Sequence, residues 1–250
     1  MPIEFVSNHL ADHPITQIQY ATETRAWKIA DEILNLTTLQ NVEKSIDQVI
    51  AWLEDRGLES VEIENLAPYF GVVWPSALAL AAYLNQSEIK PLLRGKSSVE
   101  LGCGLGIPSL IFSKAGGDCT LVDNHPSVPV FLRTNVAQNE PVKLTFKPPE
   151  VALRDAAISK RRYDWVIASD VLYDKSLVGT IIQMISSLAA PNAHCVIADP
   201  GRAYIQEFVS AMNRAGWTEE LVSWTVPACP PQFEKGCDIF VLIFKRSILD

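Results

Sequence analysis

The spacing of apolar residues divides the chain into a helical N-terminal part and a longer part in which strands and helices alternate. In residues 23–36 apolar side chains recur at Trp27, Ala30, Ile33 and Leu34, which predicts a helix. A second stripe predicts a helix between an N-cap at Asn41 and a stop at Gly57; its members are Val42, Ile46, Val49, Ile50 and Leu53. We therefore predict that residues 1–65 form an N-terminal helical extension, which either packs on the rest of the chain or covers a substrate.

From residue 66 onward the pattern alternates between strands and helices. Predicted strands end at Glu100 and Asp123 and cover about 142–146, 163–169, 194–198, 220–226 and 237–245. Predicted helices cover about 75–84, 107–114, 128–139, 175–188 and 204–215. This order predicts an α/β, Rossmann-like domain over residues 66–250, with a seven-stranded, mostly parallel sheet, an antiparallel final strand and helices on both faces.

A turn with three glycines follows the first of these strands. It reads Glu100-Leu101-Gly102-Cys103-Gly104-Leu105-Gly106, and the next strand ends at Asp123. Glycines let the backbone approach a ligand closely, but the third glycine of the dinucleotide fingerprint is absent. The acid Glu100 suits a cationic amino group better than a phosphate, and Asp123 can accept both hydroxyls of a ribose. S-adenosylmethionine has both features; the alternative is an ordinary tight connection in an α/β protein.

Further acids lie at the ends of predicted parallel strands. Asp170 and Asp199 join Glu100 and Asp123, and in such a sheet ligands bind at the carboxyl ends of the strands. Each acid alone could cap the following helix, but four at one edge favour a site. Before the first strand, Trp74 is either a buried anchor for its helix or a contact for the ligand.

These motifs together resemble a known family. Trp74-Pro75-Ser76-Ala77, the glycine turn, Asp123 and Asp170-Val171-Leu172-Tyr173 are similar to class I, seven-strand S-adenosylmethionine-dependent methyltransferases, and among them to the lysine methyltransferase-like family 16. The resemblance covers residue 68 onward. It implies that Glu100, Gly102 and Gly104 line the methionine end of the cofactor, that Asp123 binds its ribose and that Trp74 flanks it. It also implies that Asp170, beside the cofactor, faces the substrate amine together with Tyr173.

The chain departs from the family's pattern in two places. Prolines interrupt residues 147–155, where the contact to the adenine is expected, and Asp155 is the candidate there. The predicted N-terminal helices match no family feature.

Composition excludes several other classes of protein. The 250 residues carry a net charge of -8, and the pI is near 5.1, so no nucleic-acid partner is expected and Lys160-Arg161-Arg162 is interpreted as a solvated loop. Five scattered cysteines form no C-x-x-C pair, which predicts reduced thiols, a cytoplasmic location and no metal site. No apolar run is long enough to span a membrane.

The resemblance implies a protein-lysine N-methyltransferase that aligns donor and acceptor for in-line transfer of a methyl group. Its partner would then be a protein substrate. Two alternatives stay open: an N-methyltransferase for a small amine, and a non-catalytic protein that binds S-adenosylmethionine or serves as a scaffold.

Overall fold

A computed structural model describes residues 3–6, 9–58, 63–160, 162–229 and 233–246. Its strands are β1 (Ile3–Phe5), β2 (Thr22–Ile29), β3 (Glu32–Leu39), β4 (Ser97–Leu101), β5 (Asp118–Val122), β6 (Leu144–Lys147), β7 (Tyr163–Ser169), β8 (Ala189–Asp199), β9 (Trp217–Val226) and β10 (Cys237–Arg246). Its helices are α1 (Val42–Asp55), α2 (Ile63–Leu66), α3 (Pro75–Leu84), α4 (Lys90–Leu93), α5 (Ile107–Lys114), α6 (Val128–Gln138), α7 (Pro149–Ser159), α8 (Lys175–Leu188) and α9 (Ile205–Arg214).

Eight of these strands form one sheet in the order β1-β6-β5-β4-β7-β8-β10-β9. All neighbouring pairs from β1 to β8 are parallel, and β10 runs antiparallel to both β8 and β9. The α/β fold, the mostly parallel sheet and the antiparallel final strand are therefore confirmed. The sheet has eight strands and not seven, because the short β1 pairs with the edge strand β6.

Side chains of the central strands point alternately into two apolar layers, as the two-residue period of a strand requires. Trp165 and Ile167 of β7 pack into the layer that contains residues of α3, α5 and α6, whereas Val166 and Ala168 pack into the layer that contains residues of α7, α8 and α9. Helices therefore cover both faces of the sheet, as predicted.

The helix predicted over residues 23–36 is wrong: β2 and β3 form a two-stranded antiparallel hairpin there. Trp27 and Leu34 lie opposite each other and are buried, while Ile33 is 59% exposed. The apolar residues on the two sides of the turn at Ala30 and Asp31 have, taken together, the spacing expected of a helix. Of the predicted N-terminal helices, only the one that begins after Asn41 is present, and the Asn41 side chain accepts a hydrogen bond from the Lys44 amide, as an N-cap does.

The hairpin is attached to the large sheet through α6. The side chains of Asn135 and Asn139 accept hydrogen bonds from the backbone amides of Thr37 and Asn35, and Asn139 donates one to the Asn35 carbonyl. These two side-chain amides, one helical turn apart on α6, thus form hydrogen bonds with backbone groups at the outer edge of β3. Buried hairpin residues belong to the same apolar cluster as α3 and α5. The division between residues 65 and 66 stays a prediction.

Residues 149–159 form α7, which the prolines do not prevent. Pro148 is the N-cap and Pro149 is the first helical residue, a position where the missing N–H costs no hydrogen bond. Within the described ranges no helix is long and apolar enough to cross a membrane. Part of the basic tripeptide and part of the predicted proline-rich loop, residues 161 and 230–232, lie outside the described residues.

Candidate active site

Parallel pairing brings the ends of four strands to one edge of the sheet. Glu100 lies near the end of β4, and Asp123, Asp170 and Asp199 lie at or just after the ends of β5, β7 and β8. Because β5, β4, β7 and β8 are consecutive neighbours, residues from distant parts of the sequence face the same edge. The arrangement that the strand ends predicted is therefore present.

The glycine turn joins β4 to α5 and contacts Asp123 directly. One carboxylate oxygen of Asp123 accepts a hydrogen bond from the Gly104 amide at 3.0 Å, and the other accepts one from the His125 amide at 2.9 Å. Burial raises the pKa of the Asp123 carboxyl above its usual value, although hydrogen bonds from His125 and Gly104 oppose the rise. The two amides fix the position of this carboxylate at the end of β5.

The backbone of the turn also touches the segment that precedes α3. Gly104 has a φ of +46°, and a Cβ there would lie 3.1 Å from the Phe70 carbonyl oxygen. Gly102 has a φ of +63°, also in the left-handed region. The predicted site residues Gly102 and Gly104 are therefore positions where the backbone itself needs glycine.

Glu100 is fully buried behind this turn. Its Oε2 accepts a hydrogen bond from the Ser109 amide at 3.0 Å, in the first turn of α5. Its Oε1 is also buried and has no hydrogen-bond partner among the described residues. Burial raises the pKa of Glu100 to about 8, against the opposing effect of the Ser109 hydrogen bond. The site thus holds one buried oxygen that lacks a partner.

Trp74 precedes α3 and lies partly in solvent. The residue is 36% exposed, and its Nε1 donates a hydrogen bond to the Tyr69 carbonyl oxygen at 3.0 Å. That hydrogen bond fixes the indole on the segment whose Phe70 touches Gly104. Trp74 is therefore a partly exposed residue whose position is fixed by this hydrogen bond.

Asp170 is held by an arginine that the predictions did not assign to the site. The residue has a φ of +60°, and its carboxylate forms an ion pair with the Arg202 guanidinium. The same guanidinium pairs with the fully buried Asp199 at 2.9 Å. Backbone amides of Gly201 and Arg202 donate to the other oxygen of Asp199. One cation thus joins the ends of β7 and β8.

Tyr173 lies just beyond Asp170 and is 65% exposed. Partial burial raises the pKa of its phenol, and the negative charge of Asp123 adds to the rise. Its hydroxyl therefore stays protonated at neutral pH and is able to donate a hydrogen bond.

Comparison with known proteins identifies the family. A family model described as lysine methyltransferase matches residues 54–215, which is more than half of the chain. The chain belongs to the lysine methyltransferase family. The resemblance read from Trp74, the glycine turn, Asp123 and the Asp170 motif is therefore confirmed.

Curated relatives of this family member match part of the chain. Protein N-lysine methyltransferase METTL21A of Mus musculus is 27% identical over 134 residues, which cover 51% of this chain and 59% of that protein. EEF1A lysine methyltransferase 3 of Mus musculus is 29% identical over 154 residues, covering 56% and 61%. The electron transfer flavoprotein beta subunit lysine methyltransferase of Danio rerio is 28% identical over 147 residues, covering 56% and 53%. The chain thus spans between 53% and 61% of the length of these relatives.

Solved structures support the fold. The Thermus thermophilus 16S rRNA N2 G1207 methyltransferase has a TM-score of 0.57 at 14% identity, over 92% of this chain and 52% of that one. Precorrin-6y C5,15-methyltransferase from Geobacter metallireducens has a TM-score of 0.51 at 12% identity, over 65% and 90%. At such low identity these likenesses establish the methyltransferase fold and nothing about the acceptor.

Two residues of the candidate site, His125 and Arg202, were not predicted from the sequence. His125 accepts a hydrogen bond from the Ser127 amide through Nδ1, so its Nε2 carries the proton and donates to the Leu66 carbonyl. Burial lowers the pKa of His125 to about 4, which keeps the ring neutral. Arg202 was visible only as part of an Asp-Pro-Gly-Arg turn, and nothing in that pattern shows that it reaches Asp170.

The candidate for the adenine side, Asp155, is engaged in an ion pair. It lies in α7, and Lys147 at the end of β6 approaches its carboxylate at 2.8 Å. That pair lowers the pKa of Asp155, and the assignment of Asp155 to the adenine stays a prediction. Among the described residues no group of three or more potential ligands could hold a metal ion.

Proposed function

We propose that the protein is an S-adenosylmethionine-dependent protein-lysine N-methyltransferase. The observation that carries the proposal is the buried, unpartnered Oε1 of Glu100 at the glycine turn, in a chain of the lysine methyltransferase family. A buried polar atom without a partner costs free energy, and a bound ammonium group would satisfy it. The curated relatives are named for lysine methylation of proteins, which supports a protein acceptor over a nucleic acid.

The residues present fit the cofactor. Glu100 would accept the amino group of the methionine part, Gly102 and Gly104 would let the backbone approach it, and Asp123 would accept the ribose hydroxyls. The partly exposed Trp74 would pack beside it. When bound, S-adenosylmethionine supplies an electrophilic methyl group, whose bond to sulfur breaks with its electron pair left on sulfur as the acceptor's lone pair forms the new bond.

The acceptor side would be formed by Asp170 and Tyr173. Asp170 would orient the amine, and the protonated Tyr173 hydroxyl would fix its direction of approach. The amine must be neutral to react, so its proton leaves to water before or during transfer. Neither side chain needs to act as a nucleophile.

The free thiols of all five cysteines agree with a reducing compartment, and we place the enzyme in the cytoplasm as part of the proposal. Cell fractionation followed by immunoblotting tests this location. Recovery in a membrane or secreted fraction would contradict it.

The test begins with calorimetric titration of S-adenosylmethionine into the protein, where we expect saturable one-to-one binding. The protein is then incubated with methyl-tritiated cofactor and a lysate of its own organism, and hydrolysed protein is analysed for methylated lysine. Label in methyl-lysine supports the proposal. Label only in the low-mass fraction would favour the small-amine enzyme, and binding without any transfer would favour the non-catalytic protein.

A further inference from the structure

The charged groups around the proposed acceptor position do not neutralise one another. Asp170 and Asp199 are carboxylates on neighbouring strand ends, and Arg202 is the one guanidinium that pairs with both. Asp199 is fully buried, and the Asp170 and Arg202 side chains are 10% and 28% exposed. The three groups therefore carry a formal charge of -1 in a partly dehydrated position, where each charge acts strongly on its neighbours.

Such a charge matters for an amine acceptor. A lysine amine has an ordinary pKa near 10.4, so it arrives as an ammonium, and a nearby carboxylate strengthens that form. Two carboxylates without a neighbouring cation would bind the ammonium tightly and oppose loss of its proton. One cation between them weakens that effect while leaving enough negative charge to attract the substrate.

We propose that Arg202 sets the charge of the acceptor position by pairing with Asp170 and Asp199. An amine can then bind there and still lose its proton. The inference rests on the proposed function, since it assigns Asp170 to the acceptor. Arg202 is then a positioning residue: it acts through Asp170, whose carboxylate it also holds in one orientation.

Other charged or titratable groups face this position from several elements. Asp123 follows β5 and Asp174 lies in the β7 to α8 loop, and both act on Tyr173 of that loop; Asp170 also acts on Cys237 at the start of β10. None of these is a second cation. Among the described residues whose charges act on Tyr173, Arg202 alone is positive.

The experiment uses two cofactor analogues, so that no acceptor needs to be known. Sinefungin carries an amine in place of the sulfonium methyl group, and S-adenosylhomocysteine carries neither. The ratio of their dissociation constants reports how strongly the protein favours an ammonium at the transfer position. We would measure it by calorimetry at pH 7 for the wild type and for Arg202→Met.

We expect Arg202→Met to shift the ratio about tenfold towards sinefungin, because the local charge falls from -1 to -2. Arg202→Lys keeps the charge and should leave the ratio within about threefold of the wild type. The double variant Asp199→Asn with Arg202→Met restores the charge to -1, so its ratio should return to the wild-type value. Arg94→Met, an exposed residue just before β4 at the opposite edge of the sheet, is the matched control and should change nothing.

The rate at which labelled methyl groups are transferred to lysate protein distinguishes an effect of Arg202 on the local charge from an effect on the orientation of Asp170. Arg202→Met should transfer at least about tenfold more slowly at pH 7 and recover part of the loss at pH 9, where more of the amine is neutral. A misfolded variant would lose affinity for both analogues equally. An unchanged ratio in a folded Arg202→Met protein would overturn the inference, whereas failure of the wild type to bind either analogue would overturn the proposed function.

Discussion

At the scale of single residues, burial and pairing give the acids of the site different chemistry. Glu100 and Asp123 are buried at the ends of β4 and β5, and burial raises the pKa of both. Asp170 and Asp199 share the charge of Arg202. Burial therefore opposes ionisation of the carboxyls at the ends of β4 and β5, whereas the carboxylates at the ends of β7 and β8 pair with a guanidinium.

Glu100 should make the stability of the free protein depend on pH. Its pKa is about 8 in the folded protein against an ordinary 4.5, so between these values the folded state holds a proton that the unfolded chain has lost. The contribution of Glu100 to the free energy of unfolding should therefore fall as pH rises through this window, by up to about 1.4 kcal/mol per unit. His125, whose pKa is lowered to about 4, acts in the opposite direction below pH 6.5, so the effect of Glu100 is measured as a difference. Urea denaturation at pH 5, 6.5 and 8 should show the wild type losing stability relative to Glu100→Gln as pH rises. Parallel profiles for the two proteins would contradict the assignment.

Substitutions of Asp123 and Asp170 should have different effects, the first on cofactor binding and the second on methyl transfer. Asp123→Ala removes the proposed acceptor for the ribose hydroxyls and the partner of the Gly104 and His125 amides, so we expect affinity for S-adenosylmethionine to fall by at least about tenfold. Asp170→Ala should bind the cofactor nearly as the wild type does and lose transfer. Calorimetry and the labelled transfer assay measure the two properties. Equal losses of binding in both variants would show that the division of roles is wrong.

At the scale of elements, the turn from β4 to α5 depends on both backbone conformation and packing. Gly106 is the N-cap of α5 with a φ of +74°, and a Cβ there would lie 2.8 Å from a methyl carbon of Leu121 and 3.0 Å from one of Leu132. Gly95 has a similar φ of +70°, but nothing lies within 4 Å of the corresponding position. Comparing these two glycines therefore distinguishes the energetic cost of the left-handed conformation from the cost of steric crowding by neighbouring side chains.

Gly95→Ala should cost about 1 to 2 kcal/mol, which is the penalty for a left-handed residue with a Cβ. Gly106→Ala should cost about 1 to 3 kcal/mol more, because Leu121 and Leu132 must move. Chemical denaturation of both variants gives the comparison. Equal losses would mean that the two leucines adjust freely and that packing does not restrict this turn.

At the scale of the whole molecule, the N-terminal hairpin shares the core of the sheet. Leu34 is fully buried in the cluster that also contains residues of α3, α5 and β7, and the side chains of Asn135 and Asn139 hold the edge of β3. Of the two roles considered for the N-terminal residues, packing on the main domain is what these contacts support.

Neighbouring residues of β3 test this attachment. Leu34→Ala should destabilise the protein by about 2 to 5 kcal/mol, since it leaves a cavity in the shared core. Ile33→Ser, at a side chain that is 59% exposed, should change stability by less than about 0.5 kcal/mol. Thermal and urea denaturation measure both. Similar small effects would indicate a hairpin that opens independently of the sheet.

The sequence by itself determined the parts of this protein that local chemistry specifies. Alternating strand and helix patterns are set by short-range periodicity, which is why the mostly parallel sheet and the helix after Asn41 were predicted. Glu100, the glycine turn and Asp123 lie within one strand-turn-helix-strand unit, so their proximity follows from spacing alone.

Tertiary structure decided the rest. The apolar residues of 23–36 satisfy both a helical and a hairpin reading, and contact with α6 and the sheet core selects the hairpin. Strand β1 is too short to be predicted from its pattern, and it forms because β6 offers an unpaired edge. Arg202 reaches Asp170 across 32 residues because β7 and β8 are neighbours, and a long-range contact of this kind has no signature in local sequence.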